Sequence, residues 1–154
     1  VVRKESPSAA LSESPEGLLA RKDVDAWIVC LPEIESANPG SKHGATFVKL
    51  DWRFRGALSR ALQAGALSNE SGEVSILPCT RPVSDSGAET FRILSVGVRD
   101  RANVSSGELS GLLKNIHGLG LKSVGLSASD FGWSLAEAKK HFSGLKGVEA
   151  CVTE

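Results

Sequence analysis

Three histidines, three cysteines and a scatter of carboxylates are the groups in this sequence that could bind a metal, move a proton or attack a carbonyl. His43 falls in a loop-like stretch, His117 at the end of a helical pattern and His141 beside Lys139 and Lys140. None sits in an HExxH or comparable spacing, so neither a histidine-bound zinc nor a histidine base is indicated. They read as surface or boundary residues, with His117 placed to interact with a helix carboxyl end. Cys30, Cys79 and Cys151 are odd in number, far apart and without a CxxC pair, which argues against a disulfide framework or a zinc site. Each neighbours apolar strand-like residues, and burial as a small hydrophobe is expected.

Other arrangements approach known chemistry and stop short of it. Gly125-Leu-Ser127-Ala-Ser129 is near the nucleophile-elbow pattern, but Ser129 replaces the last glycine and no helix opens at once, so Ser127 reads as a strand-end serine. Gly97-Val-Arg-Asp and Gly118-Leu-Gly120 lack both GxGxxG and the lysine of a P-loop, and a turn after a strand and a helix end account for them. Asp23 and Asp25 border a strand with no His or Cys nearby, which leaves a two-metal site without ligands. Arg53, Arg55 and Arg60 surround one predicted helix, and Arg99 and Arg101 flank Asp100. These read as solvated charge, with an inter-domain or nucleic-acid contact as the sharper alternative. Asn69-Glu-Ser71 and Asn103-Val-Ser105 match the glycosylation pattern and mean little without secretion. No catalytic, cofactor-binding or metal-binding residue is assigned.

The elements that would position such groups follow from hydrophobic period and caps. Ala26 to Leu31 is a continuous apolar run ended by Pro32, the pattern of a strand buried on both faces near the centre of a sheet. Glu33 to Gly44 reads as a loop around Asn38-Pro39-Gly40. Asp51 is placed to cap one helix whose Phe54, Leu58, Ala61 and Leu62 share a face and which stops at Gly65. Val74 to Leu77 and Phe91 to Val98 are rich in strand formers, and the segment between them is too short for a crossover, so they are expected to pair antiparallel. Ser105 with Glu108, and Ser134 with Glu137, have capping-box spacing ahead of helical apolar patterns. Gly107 and Gly111 in the first of these helices would permit close packing on the sheet. Val124 to Leu126 and Val148 to Val152 complete the strands. The order β, α, β, β, α, β, α, β predicts a three-layer αβα fold with a mixed, largely parallel sheet and flanking helices. Residues 1–23, rich in Ser, Pro, Ala and Glu, form an ill-defined leading segment with one short helix suggested after Ser14-Pro15-Glu16, and residues 24–154 form the domain.

With 154 residues, 41% apolar, the chain is long enough for one real core. Eighteen basic residues balance eighteen acidic ones, so a nucleic acid or anionic membrane would need a local patch. The longest apolar runs are too short to cross a bilayer and no secretory leader is visible, which together predict a cytoplasmic protein. A start at Val1 rather than Met, and an end just after a strand-like run, suggest a processed or excised piece.

From Val24 onward the order of segments resembles the N-terminal domain of the leucyl (cytosol) aminopeptidase family. Four passages carry the resemblance: Val24-Asp25-Ala26 leading into a strand, Gly56-Ala-Leu-Ser-Arg-Ala-Leu62, Phe91-Arg-Ile-Leu-Ser-Val-Gly97-Val-Arg-Asp-Arg101, and Gly120-Leu-Lys-Ser-Val124. Val98 and Arg99 stand where that family often has small residues. The resemblance implies a non-catalytic domain serving packing, hexamer assembly or regulation beside a C-terminal catalytic domain. That absent domain would hold two divalent metals, zinc or manganese, and release N-terminal amino acids from peptides; its Asn-Thr-Asp-Ala-Glu-Gly-Arg run is missing here, and this chain is expected to carry no cofactor. Nucleic-acid binding, known in some members, is unsupported by the balanced charge.

The family domain is macrodomain-like in fold, and macrodomains hold ADP-ribose at the carboxyl ends of their strands, so an ADP-ribose or nucleotide-binding module is the alternative. Against it, Cys30-Leu-Pro-Glu33 stands where an Asn-bearing segment is expected, and no Gly-Gly-Gly phosphate loop follows. A stand-alone adaptor is a third reading.

Overall fold

The apolar run Ala26–Pro32 forms strand β1, buried along its whole length, as a strand covered on both faces must be. The computed structural model describes residues 24–33, 44–83 and 87–153, with the backbone alone for 81–83 and 87–89. The suggested helix after Ser14, together with Asp23, His43 and most of the predicted loop, lies outside the described residues.

After β1 come helices α1 (Gly44–Arg53) and α2 (Ala57–Gln63), strands β2 (Val74–Val83) and β3 (Gly87–Val98), and helix α3 (Ser106–Gly118). Strand β4 (Ser123–Ser127), a 3₁₀ turn at Ala128–Phe131, helix α4 (Leu135–Phe142) and strand β5 (Glu149–Thr153) follow. The strands make one five-stranded sheet in the order β2-β3-β1-β4-β5, with β1 at its centre as its apolar run requires. β1 runs parallel to β3, from Ala26 opposite Arg92 to Pro32 opposite Val98. It also runs parallel to β4, which pairs parallel with β5. β2 and β3 are the expected antiparallel pair, extended past the predicted ends to Val83 opposite Gly87.

Alternation along β1 divides the core in two. Ala26, Ile28 and Cys30 join Leu94, Val96 and Val98 beneath Leu112 and Ile116 of α3 and Ala138 and Phe142 of α4. Trp27, Val29 and Leu31 face the other way with Phe91 and Ile93, under Phe47 and Leu50 of α1 and Leu58 and Ala61 of α2. Helices on both faces of a mostly parallel sheet give the predicted three layers. Asp25 registers β1 against β4 at their amino ends, accepting hydrogen bonds from the N–H of Lys122 at 2.9 Å and of Ser123 at 3.2 Å. Both capping boxes form, with Ser105 and Glu108 opening α3 and Ser134 and Glu137 opening α4.

The expected single helix from Asp51 to Gly65 is two helices. Arg55 and Gly56 take left-handed conformations (φ 56° and 79°) that break the chain after α1. Asp51 starts neither helix. It lies within α1, and its carboxylate takes the N–H of Ser59 at 2.9 Å, capping α2 from eight residues upstream. Phe54, Leu58, Ala61 and Leu62 still face one core, as their spacing requires. Gly97 is likewise not a turn glycine. It lies within β3, where a Cβ would overlap the backbone carbonyl of Glu70, whose neighbours Gly72 and Glu73 exchange backbone hydrogen bonds with Gly97. Gly111 approaches that same turn, near the Gly72 carbonyl, rather than the sheet. Cys30, Cys79 and Cys151 are buried, as expected. Among the described residues no helix is long and apolar enough to cross a membrane.

Candidate ligand site at the carboxyl ends of the strands

The carboxyl ends of β1, β3 and β4 meet the amino end of α1. Glu33 donates its N–H to the Val98 carbonyl at 2.8 Å, keeping β1 and β3 paired to their last residues. Beyond β3, the Asp100 carboxylate accepts the N–H of Ala102 at 3.0 Å and the side-chain amide of Asn103 at 3.2 Å, an Asx-type turn that sets the path of the Arg101 loop. Gly132, left-handed at φ 67°, packs so closely on this loop that a Cβ would lie 3.2 Å from the Arg101 carbonyl oxygen. The loops after β3 and β4 therefore hold one another.

Asp130, in the turn after β4, is 2% exposed. It accepts hydrogen bonds from the Thr46 hydroxyl and from the N–H groups of Thr46 and Ala45. A residue far along the chain thus caps α1, which has no acidic residue in its own first turn. Gly44 stands between the charged groups: a Cβ on it would lie 2.6 Å from Arg101 Nη1 and 2.7 Å from Asp130 Oδ1. Burial pushes the Asp130 carboxyl above the usual carboxylate range, opposed by the hydrogen bonds from Thr46, the charge of Arg101 and the N–H of Ala45. Its second oxygen, Oδ2, is buried and has no hydrogen-bond partner among the described residues. Unpaired buried acceptors are uncommon in folded proteins.

Glu108 secures the frame from behind. It is 5% exposed, and its carboxylate accepts the N–H of Ser105, the hydroxyl of Ser71 and the N–H of Arg99, each at 2.8 Å. Burial alone would raise its pKa, but these hydrogen bonds together outweigh it and hold the carboxyl below the usual range. One side chain thereby ties the start of α3 to the turn before β2 and to the residue that follows β3.

The residues considered from sequence are dispersed. His117 is exposed in the last turn of α3, whereas the His141 ring lies 4.7 Å from that of Trp133. Ser127 ends β4 as expected, with its hydroxyl 3.0 Å from that of Ser129. Cys30 lies near Asp130, and burial first, then the Asp130 charge, pushes its thiol up, which disfavours a nucleophilic thiolate. Among the described residues no group of three His, Cys, Asp or Glu could hold a metal ion. Arg101, read from sequence as solvated charge, faces the α1 terminus, whereas Arg53 and Arg55 follow one another at the far end of α1. Asp130 was not identified from sequence, because the groups it caps are remote along the chain. Beside this turn, Ala128, Ser129, Trp133, Ser134, Leu135 and Ala136 line a groove of about 380 Å³, with Trp133 stacked on Phe131 at 4.7 Å.

No family model matches the sequence, and no curated protein does. Among solved structures, the macrodomain of Mycobacterium tuberculosis DarG is similar, with a TM-score of 0.53 and 14% identity over 88% of this chain and 91% of that one. The macrodomain of Thermus aquaticus DarG is similar at a TM-score of 0.52 and 16% identity, over 88% and 93%.

These findings correct the aminopeptidase resemblance, and with it the metallopeptidase reading of the chain as a non-catalytic packing or assembly domain. Each of its four passages is accounted for by packing. Asp25 clamps β4, Gly56 breaks α1 from α2, Gly97 makes room for the Glu70 carbonyl, and Gly120 turns left-handed after α3. Such needs recur wherever strands and helices alternate in this order, so they do not identify a peptidase. The chain has a macrodomain-like fold.

Proposed function

We propose that this chain is a ligand-binding module that takes ADP-ribose, or a nucleotide built like it, at the carboxyl ends of β1, β3 and β4. The observation that carries this reading is the pairing of a cation with an unfilled acceptor at that edge. Arg101 offers a guanidinium, suited to a pyrophosphate, beside Asp130, whose buried Oδ2 has no hydrogen-bond partner among the described residues. The place is the one at which open α/β sheets bind ligands, and the likeness in fold to macrodomains supports it. The α1 terminus is already occupied by the Asp130 carboxylate, so the phosphates are assigned to Arg101 and not to that helix end.

Calorimetric titration with ADP-ribose tests the reading. Saturable micromolar binding is expected for the native chain, weakened roughly tenfold or more in Arg101→Ala, since a charge-assisted hydrogen bond contributes about 1.5–3 kcal/mol. Absence of binding to the native chain would refute it.

A further inference from the structure

A second surface lies on α1 and α2, apart from the strand-end site. Between Gly44 and Asn69 the sequence has four cations, Lys49, Arg53, Arg55 and Arg60, against one carboxylate, Asp51, in a chain whose formal charge is balanced. That carboxylate is committed to Ser59, whose hydroxyl and N–H it accepts. Arg60 donates to the Arg55 carbonyl at 2.6 Å, which fixes the break between the helices, while Arg53 and Arg55 are exposed. Trp52 is 85% exposed and Val48, one helical turn before it, is 53% exposed. Among the described residues an indole so open has no packing role, and an apolar side chain on the same face makes a stripe rather than an isolated residue.

Val48, Trp52, Arg53 and Arg55 line a groove of about 910 Å³ that reaches Thr80 on β2. β2 is an edge strand, but Pro78 and Pro82 each remove an N–H donor from it, which makes it a poor template for an added strand. A partner is therefore held here by side chains. The combination of Trp and Arg around an apolar floor is the composition of binding hot spots. Val48 distinguishes the partner: stacked bases would use Trp52 and the guanidinium groups, whereas an aliphatic neighbour is complemented by an apolar side chain.

We infer that the groove formed by Val48, Trp52, Arg53 and Arg55 docks an acidic polypeptide segment with an apolar anchor residue. Charge complementarity draws the segment in, and the anchor covers Trp52 and Val48.

The test uses the full chain and three probes: a fluorescent peptide with leucines set among glutamates, the same peptide with lysines for glutamates, and an oligothymidylate of matching charge. Anisotropy should show saturable binding of the acidic peptide, weakened by added salt, and little of the basic one. Trp52→Ala and Arg53→Glu should each weaken it about tenfold, and neither exposed residue supports the core. Three results would overturn the proposal: no binding of the acidic peptide, tighter binding of the oligothymidylate than of the peptide, or a concentration-dependent dimer abolished by Trp52→Ala. The last two would assign the groove to nucleic acid or to a second copy of the chain.

Discussion

Replacing Glu108 by Ala tests how the strand-end site is held in shape. The substitution removes the acceptor for three hydrogen bonds, from Ser105, Ser71 and Arg99, each 2.8 Å long. The Ser71 hydroxyl can turn to water because its residue is exposed, so the loss falls mainly on the two backbone N–H groups. A hydrogen bond to a charged group contributes about 1.5–3 kcal/mol, and water can recover part of it at a partly exposed site. The expected destabilisation is about 2–4 kcal/mol, or roughly 5–15 °C in midpoint for a domain of this size. Urea unfolding followed by far-UV circular dichroism should show a lower midpoint with an unchanged slope. Because the folded pKa of Glu108 is depressed, its contribution is present above the unfolded value of about 4.3 and disappears as pH falls through the folded value. The difference between native chain and variant should accordingly shrink below about pH 4. A loss under about 1 kcal/mol at pH 7, or one independent of pH, would refute the assignment of Glu108 as the tie between α3, β3 and the turn before β2.

Two further outcomes follow from the same geometry. Gly97→Ala should destabilise by about 2–4 kcal/mol, since the new methyl meets the backbone carbonyl of Glu70 rather than a side chain that could move; a midpoint within error of the native one in the same urea assay would remove the steric account of that glycine. Asp130→Asn keeps an acceptor for α1 and deletes the titration. The Asp130 pKa is raised on folding, so the folded state binds the extra proton, and native stability relative to the variant should increase as pH falls from 7 toward 4. The opposite slope would mean that ionised Asp130 is stabilised by Arg101 and the helix end more than it is penalised by burial.

What the sequence disclosed depended on the range of the interaction. Both capping boxes were visible because their partners lie three residues apart, and β1 was visible because burial on both faces leaves an uninterrupted apolar run. The start of α1 was hidden for the converse reason: its cap is Asp130, which the fold alone brings beneath Gly44. Asp51 misled because a carboxylate ahead of an apolar helix usually caps it locally, whereas here it caps the following helix from inside the preceding one. The left-handed Arg55 between them carries no composition signal, although Gly56 beside it was a hint. At the candidate site the sequence shows Arg101 only as charge and does not mark Asp130, since their significance comes from facing one another across Gly44. The family resemblance fails in the same manner, because the glycines and the aspartate that carry it are demanded by packing.

The most direct test of the central claim is an amide-resolved NMR titration of the native chain with ADP-ribose. Ligand at the strand ends predicts saturable shifts clustered at 31–33, 44–46, 98–102 and 127–132, with the surface around Trp52 unmoved. No shifts at millimolar ligand, or shifts confined to other parts of the molecule, would contradict it.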